Sequence, residues 1–240
     1  MVHHLDPYGF MIPEIFPSGE ADSPLNLVDS CDCEFWFDGL DAITFTLNGN
    51  KVIQWDDKSG FGRNVLNGVD ATRPTYDPVT GRVTFVTANS TFLQSAAFGA
   101  ALTQPNTIFI VYKITGALAD AEIVFTGLAA NGRNQFGYSG SFFNMRAGIS
   151  INNGATDAND NIHTVEFNGA NSNYWLNGVL SISGNAGADP LDGSTIGANR
   201  TVASNFADCQ IMEVFGYNCL ITAEERNALT AYLNAKWGVY

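Results

Sequence analysis

The run WDDKSGFGRN, residues 55–64, sets two adjacent carboxylates, Asp56 and Asp57, among a tryptophan, a lysine, a serine and an arginine. Adjacent acids of this kind serve catalysis, ligation of a hard cation, or the hydrogen bonding of a turn. Retaining cleavage of a glycosidic bond needs two carboxyl groups about 5–5.5 Å apart across the bond. From a strand, Asp56 and Asp57 would leave opposite faces, because successive side chains alternate. The Lys-Ser-Gly-Phe-Gly that follows is turn chemistry. The pair is therefore expected to accept hydrogen bonds from the backbone and from Lys58 or Arg63, with Trp55 as a core or rim anchor. A calcium-binding corner is the alternative.

The remaining chemistry is dispersed. Glu122, Glu166 and Glu213 each stand alone in a strand-like run. The loop NNGATDANDNIH supplies Asp157, Asn159 and Asp160, oxygen ligands of the type calcium takes, at a spacing that matches no calcium loop. His163 is isolated and expected to be structural. Phe61, Phe136, Tyr138 and Tyr174 are candidates for stacking on sugar rings. There is no serine-nucleophile motif, phosphate loop or metal-spaced histidine pair. No enzyme, no cofactor and no metal is expected.

Cysteines occur at 31, 33, 209 and 219. Cys31-Asp-Cys33 is too tight for the usual paired zinc spacing. Cys209 and Cys219 either face each other across strands or, in a reducing compartment, stay free and buried.

The elements that must position these groups are mostly strands. The chain of 240 residues is 45% hydrophobic, with 24 glycines, enough for one large β domain or two small ones. Its net charge of −13 repels phosphate backbones and anionic lipid, so neither nucleic acid nor membrane is an expected partner. No run approaches the ~20 apolar residues of a membrane helix. The opening MVHHLDPYGFMIPEIF has no basic n-region and no continuous apolar core, so a route without a signal peptide is expected.

Residues 1–32 form an extended arm by composition, proline-bearing and without sustained periodicity, yet carrying Tyr8, Phe10, Met11, Ile12, Ile15 and Phe16. Such groups need a cover. The arm either packs on its own domain or docks on a neighbouring subunit, with Tyr8, Phe10, Ile12, Ile15 and Phe16 as the expected assembly contacts. Residues 33–240 form the domain proper. TIFIVYKIT (107–115) is apolar on both faces and reads as a central strand covered on both sides. YWLNGVLSI reads as a hairpin through Asn177-Gly178. CQIMEVFGYN places Ile211 and Phe215 on one face, Met212 and Val214 on the other. No crossover helix separates the strands, so the sheets should be antiparallel. TAEERNALTAYLNAKWG opens with a capping box, Thr222 and Glu225, and places Leu229, Tyr232, Leu233 and Trp237 at helical spacing. Arg226 and Lys236 are expected on its open face, and Gly238 ends it.

Taken together, QWDDKSGFGRN…RPTY, TIFIVYK, YWLNGV, STIGAN and above all IMEVFGYNCLITAEERNALTAYLNAKWG resemble the concanavalin A-like lectin/glucanase jelly roll. The nearest variety is the laminin-G-like or pentraxin-like domain of extracellular and phage virion proteins. The resemblance covers roughly residues 35–240. It implies an all-β, two-sheet antiparallel jelly-roll sandwich with one C-terminal helix. It also implies a non-enzymatic phage virion protein, a capsid decoration (cement) or fibre subunit attached through the arm. Such a protein assembles in the host cytoplasm as a homo-oligomer, with other capsid or tail proteins as partners. The alternative is a carbohydrate-binding module that recognises host-surface glycans. The family's glucanases carry their carboxylates as Glu-x-Asp-x-x-Glu on one strand, and this chain has no such run.

Overall fold

The computed structural model describes residues 22–118 and 121–240. Every strand pairing within them is antiparallel, and the ladders build two layers. One layer runs, by pairing, Val179–Gly184, Ser172–Leu176, Asp160–Phe167, Asn106–Ile114, Cys209–Tyr217 and Cys33–Asp38. The other runs Ser150–Ala155, Phe142–Arg146, Gln135–Ser139, Glu122–Thr126, Thr195–Ile196, Leu93–Ser95, Val65–Leu66, Lys51–Trp55 and Phe45–Asn48. The strands Thr75–Asp77 and Arg82–Phe85 carry hydrogen bonding from one layer to the other. This is the expected sandwich.

The alternation of Asn106–Ile114 explains why it is central. Ile108, Ile110 and Tyr112 enter the core between the layers, with Phe35, Phe37, Trp55, Phe125 and Phe136. Phe109 and Val111 face the other way, into a second core with Trp36, Phe215, Leu229 and Leu233 under the C-terminal helix. Burying such a side chain stabilises by about 1.5–3 kcal/mol, so a strand apolar on both faces belongs where both are covered. The hairpin at Asn177-Gly178 has φ of 51° and 78°, the pair of positive values that a type I′ turn requires. The helix Ala223–Trp237 carries the capping box of Thr222 and Glu225 and ends at Gly238 with φ 62°. Among the described residues no helix is long and apolar enough to cross a membrane.

Three expectations are corrected. First, the register of Cys209–Tyr217 shifts between Ile211 and Glu213. This bulge sends Ile211 and Val214 to the inner core and Met212 and Phe215 to the helix side. Simple alternation misassigns them because an extra residue reverses everything beyond it. Second, the bulge brings Glu213 beneath the helix, and Lys236 follows it inward instead of lying on the open face. The fully buried Glu213 accepts from Trp36 Nε1 (2.8 Å), Trp237 Nε1 (2.7 Å) and Tyr232 OH (3.1 Å). Lys236 Nζ lies 2.8 Å from Glu213 and 2.7 Å from Asp38. Arg226 also leaves the open face, its guanidinium 4.2 Å above the Trp175 ring.

Third, Cys219 bonds to Cys31, while Cys33 and Cys209 are free and buried. Cys209 and Cys219 flank the same nine-residue strand, too far apart to meet at about 3.4 Å per residue. Cys31 reaches Cys219 because residues 22–32 fold back over the helix-side core. Leu27 and Val28 are buried there, and Tyr217 OH donates to Pro24 O at 2.8 Å. Glu225 Oε1 accepts from the backbone of Asp29 (2.9 Å) and Ser30 (3.1 Å). This part of the arm packs on its own domain.

Candidate functional site

Asp57 is the organiser of its turn. Its carboxylate accepts from the backbone N–H of Trp36, Ser59 and Arg63, each at 2.9 Å, and from Ser59 Oγ at 2.8 Å. Asp56 accepts from Gln54 Nε2 at 2.6 Å. With the Asp57 oxygens filled by amides, the neighbouring cations reach other acids. Lys58 bridges Asp38 (3.0 Å) and Asp41 (2.7 Å), and Arg63 holds Glu34 at 2.6 Å. The expected backbone bonds are present; the expected side-chain cations are elsewhere.

The other residues singled out by sequence do not gather at one site: Glu122 meets Tyr138, and Phe136, His163 and Tyr174 pack together in the core. Asp157 Oδ1 accepts from Asn159 N–H and Asn161 Nδ2, both at 2.8 Å. Asp160 is forked by Arg82 at 2.8 and 2.7 Å. Glu166 accepts from Asn173 Nδ2 at 3.0 Å. His163 is buried, with Nδ1 3.0 Å from Tyr174 OH, and burial holds its imidazole well below the usual range. Phe136, Tyr138 and Tyr174 are buried core residues, which corrects their candidacy as exposed platforms; Phe61 is 50% exposed. Tyr8, Phe10, Ile12, Ile15 and Phe16 lie outside the described residues.

What the fold does assemble is a cleft that no sequence motif marks. It has a volume of about 370 Å³ and is lined by Arg133, Arg146, Arg200, Gln135, Asn144 and Asn205, among others. That volume falls in the range of about 300–1,000 Å³ typical of small-molecule sites. Two paired strands make its base. Gln135 stands opposite Arg146 and Gly137 opposite Asn144, so the side chains of Gln135, Asn144 and Arg146 share the face turned away from the core residues Phe136, Phe143 and Met145.

The other arginines come from loops with built supports. The turn before Arg133 wraps the Asp192 carboxylate, which accepts from Leu128 N–H (2.7 Å) and Ala129 N–H (3.0 Å). Only glycine fits at 132, where a Cβ would lie 2.3 Å from that carboxylate. Beside Arg133, the buried Asn134 ties the chain to Asn106 Nδ2 (2.8 Å) and to Asp189 O (2.9 Å). Arg200 rides on a loop gathered by Asn199, whose Oδ1 accepts from Thr201 N–H at 3.1 Å and whose Nδ2 donates to Ser204 Oγ at 2.6 Å. Asn205 Nδ2 fastens that loop to Ala121 O at 2.8 Å. Val202, at φ 48°, holds a left-handed backbone that costs a β-branched residue roughly 1–3 kcal/mol.

The floor holds one carboxylate, Glu122, buried beside Tyr138. Tyr138 O–H donates to it, and Asp208 N–H donates at 2.6 Å. Burial, with the like charges of Arg146 and Arg200, pulls the Arg133 guanidinium below its ordinary value against the weaker opposing pull of Asp189. The lining therefore offers N–H forks and amides on a rigid base. The signals available in the sequence were Glu122 and Tyr138, singled out separately, and the scarcity of bases, 11 against 24 acids, with three of them falling between 133 and 200.

No protein-family model and no curated protein matches the sequence. Solved structures do match in fold. A Trypanosoma rangeli sialidase in complex with 2,3-difluorosialic acid aligns over 94% of this chain and 36% of its own, with TM-score 0.56 and 13% identity. The botulinum neurotoxin serotype G binding domain aligns over 75% and 49%, at 0.58 and 12%. The receptor-binding domain of a botulinum neurotoxin C/D mosaic aligns over 84% and 51%, at 0.59 and 10%. The chain thus spans about a third to a half of these structures. They are β-sandwich, jelly-roll-like neighbours, and the likeness is one of fold.

Proposed function

We propose that this chain is a non-enzymatic carbohydrate-recognition module and that the cleft of Arg133, Arg146 and Arg200 is its binding site. The observation that carries the proposal is a preformed cleft whose lining is rich in fixed N–H donors and side-chain amides. Hydroxyl-rich ligands are recognised by such groups, and loops held by buried polar anchors keep them in place before the ligand arrives. Fold neighbours in complex with sialic acid, and a botulinum neurotoxin binding domain in complex with SialylT, support a glycan as a ligand of this fold, although that binding domain is also found in complex with rat synaptotagmin II. Against catalysis stand Glu213 and Glu166, engaged by Lys236 and Asn173 and absent from the cleft lining; Glu122, hydrogen-bonded by Tyr138 within the cleft, is the carboxylate on which the turnover assay bears.

The concanavalin A-like kinship and the virion placement belong to the same proposal. The module would be displayed on a phage particle, as a decoration or fibre subunit, by the segment that precedes residue 22. The Cys31–Cys219 bond supports display in an oxidising surrounding, where disulfides persist. The test is a glycan array probed with the labelled full-length chain, paired with a polysaccharide turnover assay. Saturable binding to a defined glycan group without turnover is expected. Turnover, or no glycan bound across the array, would contradict the proposal.

A further inference from the structure

We propose that the cleft takes the anionic group of an acidic saccharide, a carboxylate or a sulfate ester. This rests on the glycan-binding proposal above and names the class of glycan.

The scarce cations are not all used alike. Lys51, Lys58, Arg63, Arg73, Arg82 and Lys236 each hold an acid. Lys113, Arg133, Arg146, Arg200 and Arg226 make no ion pair among the described residues, although acids outnumber bases 24 to 11, and three of these five, Arg133, Arg146 and Arg200, line one cleft. Gathering three like charges in one half-buried cleft is unfavourable unless a counter-charge arrives there.

The donors give the second argument. Arg133 Nε and Arg146 Nε are buried without hydrogen-bond partners. Arg226 Nε, on the guanidinium over Trp175 away from the cleft, is unpaired in the same way; what sets the cleft apart is that three guanidinium groups meet there with no carboxylate paired to them among the described residues. Guanidinium forks fit planar carboxylates and sulfate oxygens with parallel N–H···O bonds. The Glu122 carboxylate in the floor already accepts from Tyr138 and Asp208. Ser150 Oγ, at 3.5 Å from Arg146 Nη1, is a weak and neutral partner.

Cleft size and global charge narrow the ligand further. The net charge of −13 disfavours a long polyanion such as nucleic acid. A cleft of about 370 Å³ suits a small charged group. Gln135 and Asn144 then face the hydroxyls of the sugar that carries it.

The test is a titration of the full-length chain with sialyllactose, lactose sulfate and neutral lactose, at low and high salt, beside inorganic sulfate. One or both acidic sugars should bind at least tenfold more tightly than lactose, and more weakly in high salt. An Arg146→Gln/Arg200→Gln double variant should lose tenfold or more of that affinity with an unchanged thermal melt. If the double variant melts lower, Arg200→Gln alone, on its loop, should show the same loss. Lactose binding of equal strength that survives the substitutions overturns the inference and this cleft as the site, and leaves standing that the chain binds carbohydrate. Binding of inorganic sulfate with no saccharide bound overturns both. Preference for sialyllactose or for lactose sulfate identifies the anionic group.

Discussion

At the residue scale, position matters more than residue type. Asp56 and Asp57 are chemically identical neighbours, yet Asp57 takes three backbone N–H groups and Asp56 one side-chain amide. Asp57→Ala should cost about 2–4 kcal/mol, because it leaves charge-assisted donors of a half-buried turn unpaired. Asp56→Ala should cost less than about 1 kcal/mol. Urea denaturation of the two variants checks the contrast, and equal losses would contradict it. Acid sensitivity belongs at this scale too. Burial alone would raise the Asp38 carboxyl, but Lys236 and Lys58 hold it below the ordinary carboxylate range. A depressed carboxyl contributes stability above its unfolded value, near pH 4, and loses it as pH falls through the lower folded value. Glu213, which burial raises despite Lys236, acts in the opposite sense, its contribution declining as pH rises through its folded value. Asp38→Asn should therefore flatten the fall in the urea midpoint below about pH 4. An unchanged acid limb would place that sensitivity elsewhere.

At the element scale, the helix and the segment 22–32 act as one unit through Glu225. Its carboxylate closes the capping box with Thr222 N–H at 2.7 Å and also receives the backbone of Asp29 and Ser30. Glu225→Ala should cost about 1–3 kcal/mol, more than a capping-box loss alone, and should speed reduction of Cys31–Cys219 by dithiothreitol. Reduction at the wild-type rate would show that segment and helix are not coupled. Much of this level was legible in the sequence. The capping box, the Asn177-Gly178 turn and the double-faced strand 106–114 are local patterns, and local patterns survive folding. The bulge at Ile211–Glu213 was not legible, because alternation carries no mark where a residue is inserted. Nor was the Cys31–Cys219 pairing, which depends on where a segment without periodicity folds back.

At the scale of the whole molecule, the cleft was the least legible feature. Arg133, Arg146 and Arg200 come from two loops and a strand end, and only the sandwich brings them together. Nothing in their spacing announces a site, whereas the conspicuous WDDKSG run turns out to hold a corner. The account's central claim is that this cleft is a recognition surface. Arginine Nε–H resonances of the intact chain, followed by nuclear magnetic resonance while a glycan chosen from the array is added, test it most directly. The account predicts saturable shifts at Arg133, Arg146 and Arg200, with Arg63, Arg73 and Arg82 unmoved in their ion pairs. Saturation of binding with those three resonances unchanged would contradict it.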